Sequence, residues 1–123
     1  MSREHERFVF GPTSLEDRET GLEWQRGPAP EPLAWSAAQE TLTATGWRLP
    51  SVGELMSLLA SLPPALGGAL EVGDVLWSRS QSPFAPRTAV RAVVCDSPER
   101  FGVVLRDRGD AARLWGVRDF PLR

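Results

Sequence analysis

Apolar residues recur along the chain with two periods, and the change of period marks where strands give way to helices. Phe8-Val9-Phe10 is a short strand candidate closed by Gly11-Pro12. From Leu15 to Glu23 two short runs flank Thr20-Gly21, where glycine supplies the positive φ of a tight turn. Leu22 and Trp24 then alternate with Glu23 and Gln25, the pattern of a half-buried strand. Prolines at 28, 30 and 32 make a loop of the next stretch. Beyond it the period lengthens. Trp35, Ala38, Leu42 and Thr45 share one side of a helix predicted over Leu33–Thr45, and Gly46 is its stop.

A second helix starts at once. Pro50 bars continuation from upstream, Ser51 is a good N-cap, and Glu54 stands where the reciprocal half of a capping box belongs. Val52, Leu55, Leu58, Leu59 and Leu62 form its apolar face, and Pro63-Pro64 ends it. Pro63 to Asp74 reads as a loop. Strands follow at Val75-Leu76-Trp77, Thr88–Cys95, Gly102–Arg106 and Leu114–Arg118, with turns at Asp96–Glu99 and Arg108–Asp110. Strands, two helices, then strands define an α+β class. The expected organisation is one domain over residues 8–123 behind a flexible amino terminus, residues 1–7.

Composition fits that picture. A chain of 123 residues, 41% hydrophobic, suits a single domain that buries roughly two-thirds of its unfolded surface. Lys, Ile, Asn and Tyr are absent and all 14 basic residues are Arg, a bias that a GC-rich genome explains. Arginine abundance therefore does not point to nucleic acid, and the net charge of −2 argues against such a partner. Charge is nonetheless uneven: residues 1–76 hold 5 Arg against 11 acids, residues 77–123 hold 9 Arg against 5. In one fold the halves neutralise each other; the sharper reading is a basic face for an acidic partner, a polyanion or a second copy of the chain. Cys95, the sole cysteine, excludes an internal disulfide and reads as a small buried hydrophobe. The start, MSREHERFVF, lacks the apolar run of a signal peptide, and no stretch approaches transmembrane length. As written the chain is expected to be cytoplasmic; a missing upstream segment would make it extracellular.

Catalytic chemistry finds few tools. His5 is the sole histidine and lies in the charged amino terminus, so nucleophilic triads lack a base. There is no Lys for a Schiff base and no Gly-rich phosphate loop. Asp96, Glu99, Asp107 and Asp110 sit near turns with the spacing of a solvated rim. No cofactor or metal is implied, and the chain reads as a non-enzyme. Arg108-Gly109-Asp110 spells a tripeptide that some cell-surface receptors read, but Gly-Asp is ordinary turn chemistry.

The order Thr20-Gly21-Leu22-Glu23-Trp24-Gln25-Arg26, a Trp-bearing helix, Gly46-Trp47-Arg48-Leu49-Pro50-Ser51 with Glu54-Leu55, Leu76-Trp77-Ser78, and Gly116-Val117-Arg118 resembles the carboxy-terminal domain family of the bacterial collagen-like adhesin Lcl. The resemblance covers residues 8–119. It implies a C-type-lectin-like fold, akin in shape to the formylglycine-generating enzymes, which carry a similar Arg-Leu-Pro corner. In such a fold the first and last strands pair, two helices pack on them, and a second, loop-rich sheet carries the ligand surface. Trp47 would be buried, and Arg48 held by a carboxylate or by carbonyls. Losing that arginine would cost on the order of 3–5 kcal/mol. The enzymes of this shape work through paired cysteines and the calcium-dependent lectins through an Asn-bearing loop; this chain has one Cys and no Asn.

Two sets of residues follow. Trp24, Trp35, Trp47 and Trp115 are assigned to the core, with Arg48, Ser51 and Glu54 as the fixtures of the corner. Trp77, Arg79, Phe84, Arg87 and Arg91 are the candidate ligand surface, because aromatic residues and arginines on one loop compose interface hot spots and also anion sites. The expected function is a non-catalytic module binding a protein partner through this loop-rich half. The alternatives are an adhesive domain for acidic or sulfated sugars, and a distant enzymatic relative of the formylglycine-generating proteins.

Overall fold

The computed structural model describes residues 7–62, 70–82, 84, 87–97 and 100–119. Among them the chain is α+β, with two helices and three antiparallel sheets. The first sheet has the order β1-β2-β3-β9, from Phe8–Phe10, Ser14–Asp17, Leu22–Gln25 and Val117–Asp119. Gly21 turns the β2–β3 hairpin at φ 73°, and its N–H donates to the Asp17 carbonyl. The alternation of β3 buries Leu22 and Trp24 while Glu23 and Gln25 stay half-exposed. The closing strand does not pair with the first strand, as the resemblance implied, but with β3, setting Val117 beside Trp24. Both are fully buried, and Trp115 meets Trp24 edge-on at 5.9 Å. The large apolar surface thus lies on β3, whereas β1 is only half-buried.

Leu33–Ala34 form the short strand β4, paired with β8 (Ala111–Ala112), and helix α1 begins later than expected, at Trp35–Ala44. Ala34 has no capping side chain, so the first turn is tied from outside the helix: Trp35 N–H donates to the Arg108 carbonyl in the turn before β8. Trp35, Ala38 and Leu42 face inward, but Thr45 is exposed and bonds back to the helix carbonyls. Gly46, at φ 84°, stops the helix. Its N–H reaches Thr43 and that of Trp47 reaches Leu42, the paired bonds of a Schellman closure. Helix α2 (Val52–Ala60) opens on the expected capping box: Ser51 Oγ accepts from Glu54 N, and Glu54 Oε1 accepts from Ser51 N. Leu55, Leu58 and Leu59 are buried. Pro63-Pro64 and most of the expected loop after them lie outside the described residues.

The third sheet is β5 (Val75–Gln81), β6 (Ala89–Ser97) and β7 (Arg100–Asp107) in that order, with bulges between Trp77 and Gln81 and at Cys95–Ser97. The single strand predicted over Leu114–Arg118 is broken. Leu114 O accepts from Ala29, and Gly116 exchanges bonds with Gln25, so this stretch ties down the proline loop before β9 begins. Among the described residues two apolar clusters result. One joins the first sheet to α2 and the middle of the third sheet; the other joins α1 to Trp77, Val90, Ala92 and β8. Residues 1–6 of the expected flexible terminus lie outside the described residues, but Arg7 is firmly engaged by Asp17 and Ser57. No described helix is long and apolar enough to cross a membrane.

Candidate functional site

The corner between the helices is built from its capping residues outward. Arg48 sets its guanidinium on both oxygens of Glu54 at 3.0 Å and on the Leu49 carbonyl, with Asp119 at 3.5 Å. The Arg48 main chain exchanges two 3.0 Å bonds with Val117, stitching the corner to β9. Burial pushes the Glu54 carboxyl upward, but Arg48 and the Ser51 amide outweigh it and hold the carboxyl below the usual range. Arg48 is raised in turn, chiefly by the Glu54 bond. Arg48, Ser51 and Glu54 are thus bonded to one another within the corner. Trp47 departs from expectation: it is half-buried, because Arg118 lies 4.0 Å over its ring. Arg118 is fixed there by Glu23, which also accepts from Ser14.

Trp77 must be moved from the candidate surface into the core. It is fully buried, and its indole N–H donates to the Leu33 carbonyl at 2.6 Å. Trp35 reciprocates from α1, donating to the Ser78 carbonyl at 2.9 Å. The physical reason is position: β6 and a bridge to Arg113 hold the two edges of β5, and one apolar cluster covers each face, Leu76 in the first and Trp77 in the second. Three apolar residues in succession, Val75-Leu76-Trp77, are the mark of such a strand and were the available signal. The serines of this segment are joints. Ser78 Oγ bonds the Arg91 carbonyl, and Ser80 Oγ accepts from Val52 at the start of α2.

The rest of the candidate set does lie at the surface. Phe84 is 89% exposed, and Arg79, Arg87 and Arg91 are exposed. Their guanidinium groups make no hydrogen bond or ion pair among the described residues. Arg79 leaves the β5 bulge with its amide tied to the Pro50 carbonyl, while the Ser78–Arg91 bond brings that bulge against β6. Phe84 and Arg87 occupy the connection between the two strands, closed by Ser82 N–H on Ala89 O. The surface is thus one sheet end carrying three cations and an unsupported aromatic ring.

Other candidates have structural roles. Arg108 stacks 4.3 Å over Trp35, so the Arg-Gly-Asp tripeptide is part of the β7–β8 turn, where Asp107 accepts from Gly109. Cys95 is buried, which pushes its thiol up and away from the reactive thiolate. Among the described residues no group of three His, Cys, Asp or Glu is placed to hold a metal. Sequence reasoning missed two features: the buried Asp17 with its Arg7 partner, and the exposed run Val103-Val104-Leu105 on β7. In the sequence that run marks only part of a strand. No family model and no curated protein matches the chain.

Proposed function

We propose that the protein is a non-catalytic binding module on a C-type-lectin-like scaffold, and that a protein partner docks on the β5–β6 end of its third sheet. The observation that carries this reading is Phe84, 89% exposed between β5 and β6, with three exposed arginines nearby in sequence and ladder whose guanidinium groups make no ion pair among the described residues. Aromatic residues and arginines together are the side chains enriched at recognition surfaces. The motif series around Trp24, the Arg48 corner and Gly116 supports the scaffold, as does the arrangement of two helices against small antiparallel sheets. The same arginines favour a second reading, a polyanionic glycan gripped by Arg79, Arg87 and Arg91.

The test is retention from a soluble extract of the source organism on immobilised wild type, beside Phe84→Ala and a triple Arg79→Ala, Arg87→Ala, Arg91→Ala variant, washed across a salt series. A protein held by wild type, lost by Phe84→Ala and only modestly salt-sensitive supports the protein reading. Binding to a sulfated sugar that falls steeply with salt and vanishes in the triple variant supports the glycan reading. Retention of neither sinks both.

A further inference from the structure

β7 is an edge strand, and its middle has none of the usual protections. Val103 is 48%, Val104 38% and Leu105 56% exposed, with no charge or proline among them. The direction of its main chain follows from the ladder. Arg108 N–H donates to Thr88 O, the residue facing it when the Ala89–Asp107 register is continued. Hydrogen-bonded pairs alternate along antiparallel strands. Arg106, Val104 and Gly102 therefore turn their main-chain groups toward β6, and Phe101, Val103, Leu105 and Asp107 turn theirs outward. On the far side of β6 the odd-numbered Ala89 and Cys95 bond toward β5 and Asp74, as this alternation requires.

We infer that β7 pairs antiparallel with β7 of a second copy of this chain, about a two-fold axis at Val104, joining two three-stranded sheets into one. A two-fold register must set odd residues opposite odd ones, which leaves few choices. Centring on Val103 places Arg100 opposite Arg106 of the second copy. Centring on Leu105 places Val103 opposite Asp107 and Val104 opposite Arg106. Centring on Val104 sets Val103 opposite Leu105 twice on one face and Val104 against its own mate on the other. It also sets Arg106 opposite Gly102 and, at the ends of the strand, Phe101 opposite Asp107, so no like charges meet within β7 and the apolar run is kept whole.

That last pairing supplies charge complementarity. The Asp96 carboxylate reaches over Gly102, its Oδ2 lying 3.2 Å from where a side chain on that glycine would begin. Asp96 has no partner among the described residues. Arg106 uses Nε and Nη2 on the Ala111 carbonyl, leaving Nη1 free on the same face. Each Arg106 thus meets the Asp96 carboxylate of the second copy across the axis. This inference does not rest on the proposed partner surface: Phe84, Arg79 and Arg87 are not on β7, and only Arg91, which faces Leu105 across the β6–β7 ladder, adjoins the seam.

The experiment is sedimentation equilibrium of the full chain from micromolar to sub-millimolar concentration, with amide exchange measured at both ends. Wild type is expected to dimerise, and the Val103 and Leu105 amides to gain protection in the concentrated sample while Val104 is protected in both. Val104→Arg, which sets like charges face to face, should weaken the dimer at least about tenfold. Val103→Pro removes an outward donor at a position an edge strand tolerates, and should do the same without unfolding the chain. Asp96→Arg or Arg106→Asp alone should weaken dimerisation, and the two together should restore it. A wild type monomeric throughout, even one that captures some other extended segment, overturns the inference. So does a dimer unmoved by Val104→Arg and Val103→Pro, or a charge exchange that fails to rescue.

Discussion

Arg7 closes a two-pronged ion pair on Asp17, with Nε to Oδ1 at 2.8 Å and Nη2 to Oδ2 at 2.9 Å, and the same Nη2 reaches the Ser57 hydroxyl of α2 at 2.9 Å. Asp17 is 1% exposed, so this carboxylate depends wholly on its bonds. Burial pushes its pKa up, but Arg7, Thr20 and the Glu19 amide together bring it below the ordinary value. Glu23, drawn down first by Arg118, and Glu54 shift the same way. A carboxyl depressed on folding stabilises the protein above its unfolded pKa, and that contribution is lost as pH falls through the folded value. Urea midpoints should therefore hold steady from about pH 5 to 8 and fall below about pH 4.

The Arg7→Ala variant should shift this balance. With the guanidinium gone, only Thr20 and the Glu19 amide oppose burial, so the pKa of Asp17 rises. The variant should lose about 3 kcal/mol at pH 7, the penalty of an unpaired buried charge. Its deficit against wild type should narrow as pH drops toward about 4 and Asp17 takes up a proton. A deficit constant with pH would show that another group carries the effect.

At the helix corner the expected cost must be reduced. Arg48 keeps 35% of its side chain exposed, and solvent screens its pair with Glu54. Arg48→Ala should lower unfolding stability by about 1 kcal/mol, well under the loss expected for a fully buried arginine. Ser51→Ala, which removes the cap itself, should cost about as much. Glu54→Gln keeps the back-bond to Ser51 N–H while discarding the charge, so it should be milder than Glu54→Ala. Chemical denaturation of the four variants orders them; Glu54→Gln matching Glu54→Ala would make the ion pair, not the cap, the fixture.

Signals that act between near neighbours were legible in the sequence, and those that depend on distant ones were not. Gly21, Gly46 and the Ser51–Glu54 box work within a turn or two of the chain, and each stands where the pattern placed it. The partner of Arg7 is ten residues away in sequence and its second contact fifty, so no local pattern announced them. Val75-Leu76-Trp77 and Val103-Val104-Leu105 are the same kind of apolar run with opposite fates. The first has strand neighbours on both sides and buries Trp77, whereas the second lies at the sheet edge. Burial of such a run is decided by topology, which composition does not encode.

Moving Trp77 to the core makes a sharp contrast with Phe84. Trp77→Ala would open a large cavity and strip the Leu33 carbonyl of its donor, costing about 3–5 kcal/mol. Phe84→Ala touches no packed neighbour at 89% exposure and should stay within about 0.5 kcal/mol of wild type. Thermal unfolding of the two variants checks this directly. A stable Trp77→Ala would return that residue to the candidate surface.

Two glycines should respond to alanine in opposite directions. A Cβ on Gly116 would stand 2.8 Å from Leu42 Cδ2 and 3.0 Å from the Gln25 side-chain amide, whose oxygen accepts from Gly116 N–H. That amide cannot withdraw without breaking its bond, and Leu42 is buried, so Gly116→Ala should cost about 1–3 kcal/mol by overpacking. Gly53 lies in the first turn of α2, exposed, and its added methyl would meet only Ser51 Oγ at 3.8 Å. There alanine relieves the entropic cost of glycine in a helix and should stabilise by about 0.5 kcal/mol. Urea midpoints moving down for the first and up for the second would establish that the close approach of Gly116 to α1, rather than glycine content, limits this fold. A neutral Gly116→Ala would mean that Leu42 has room to yield.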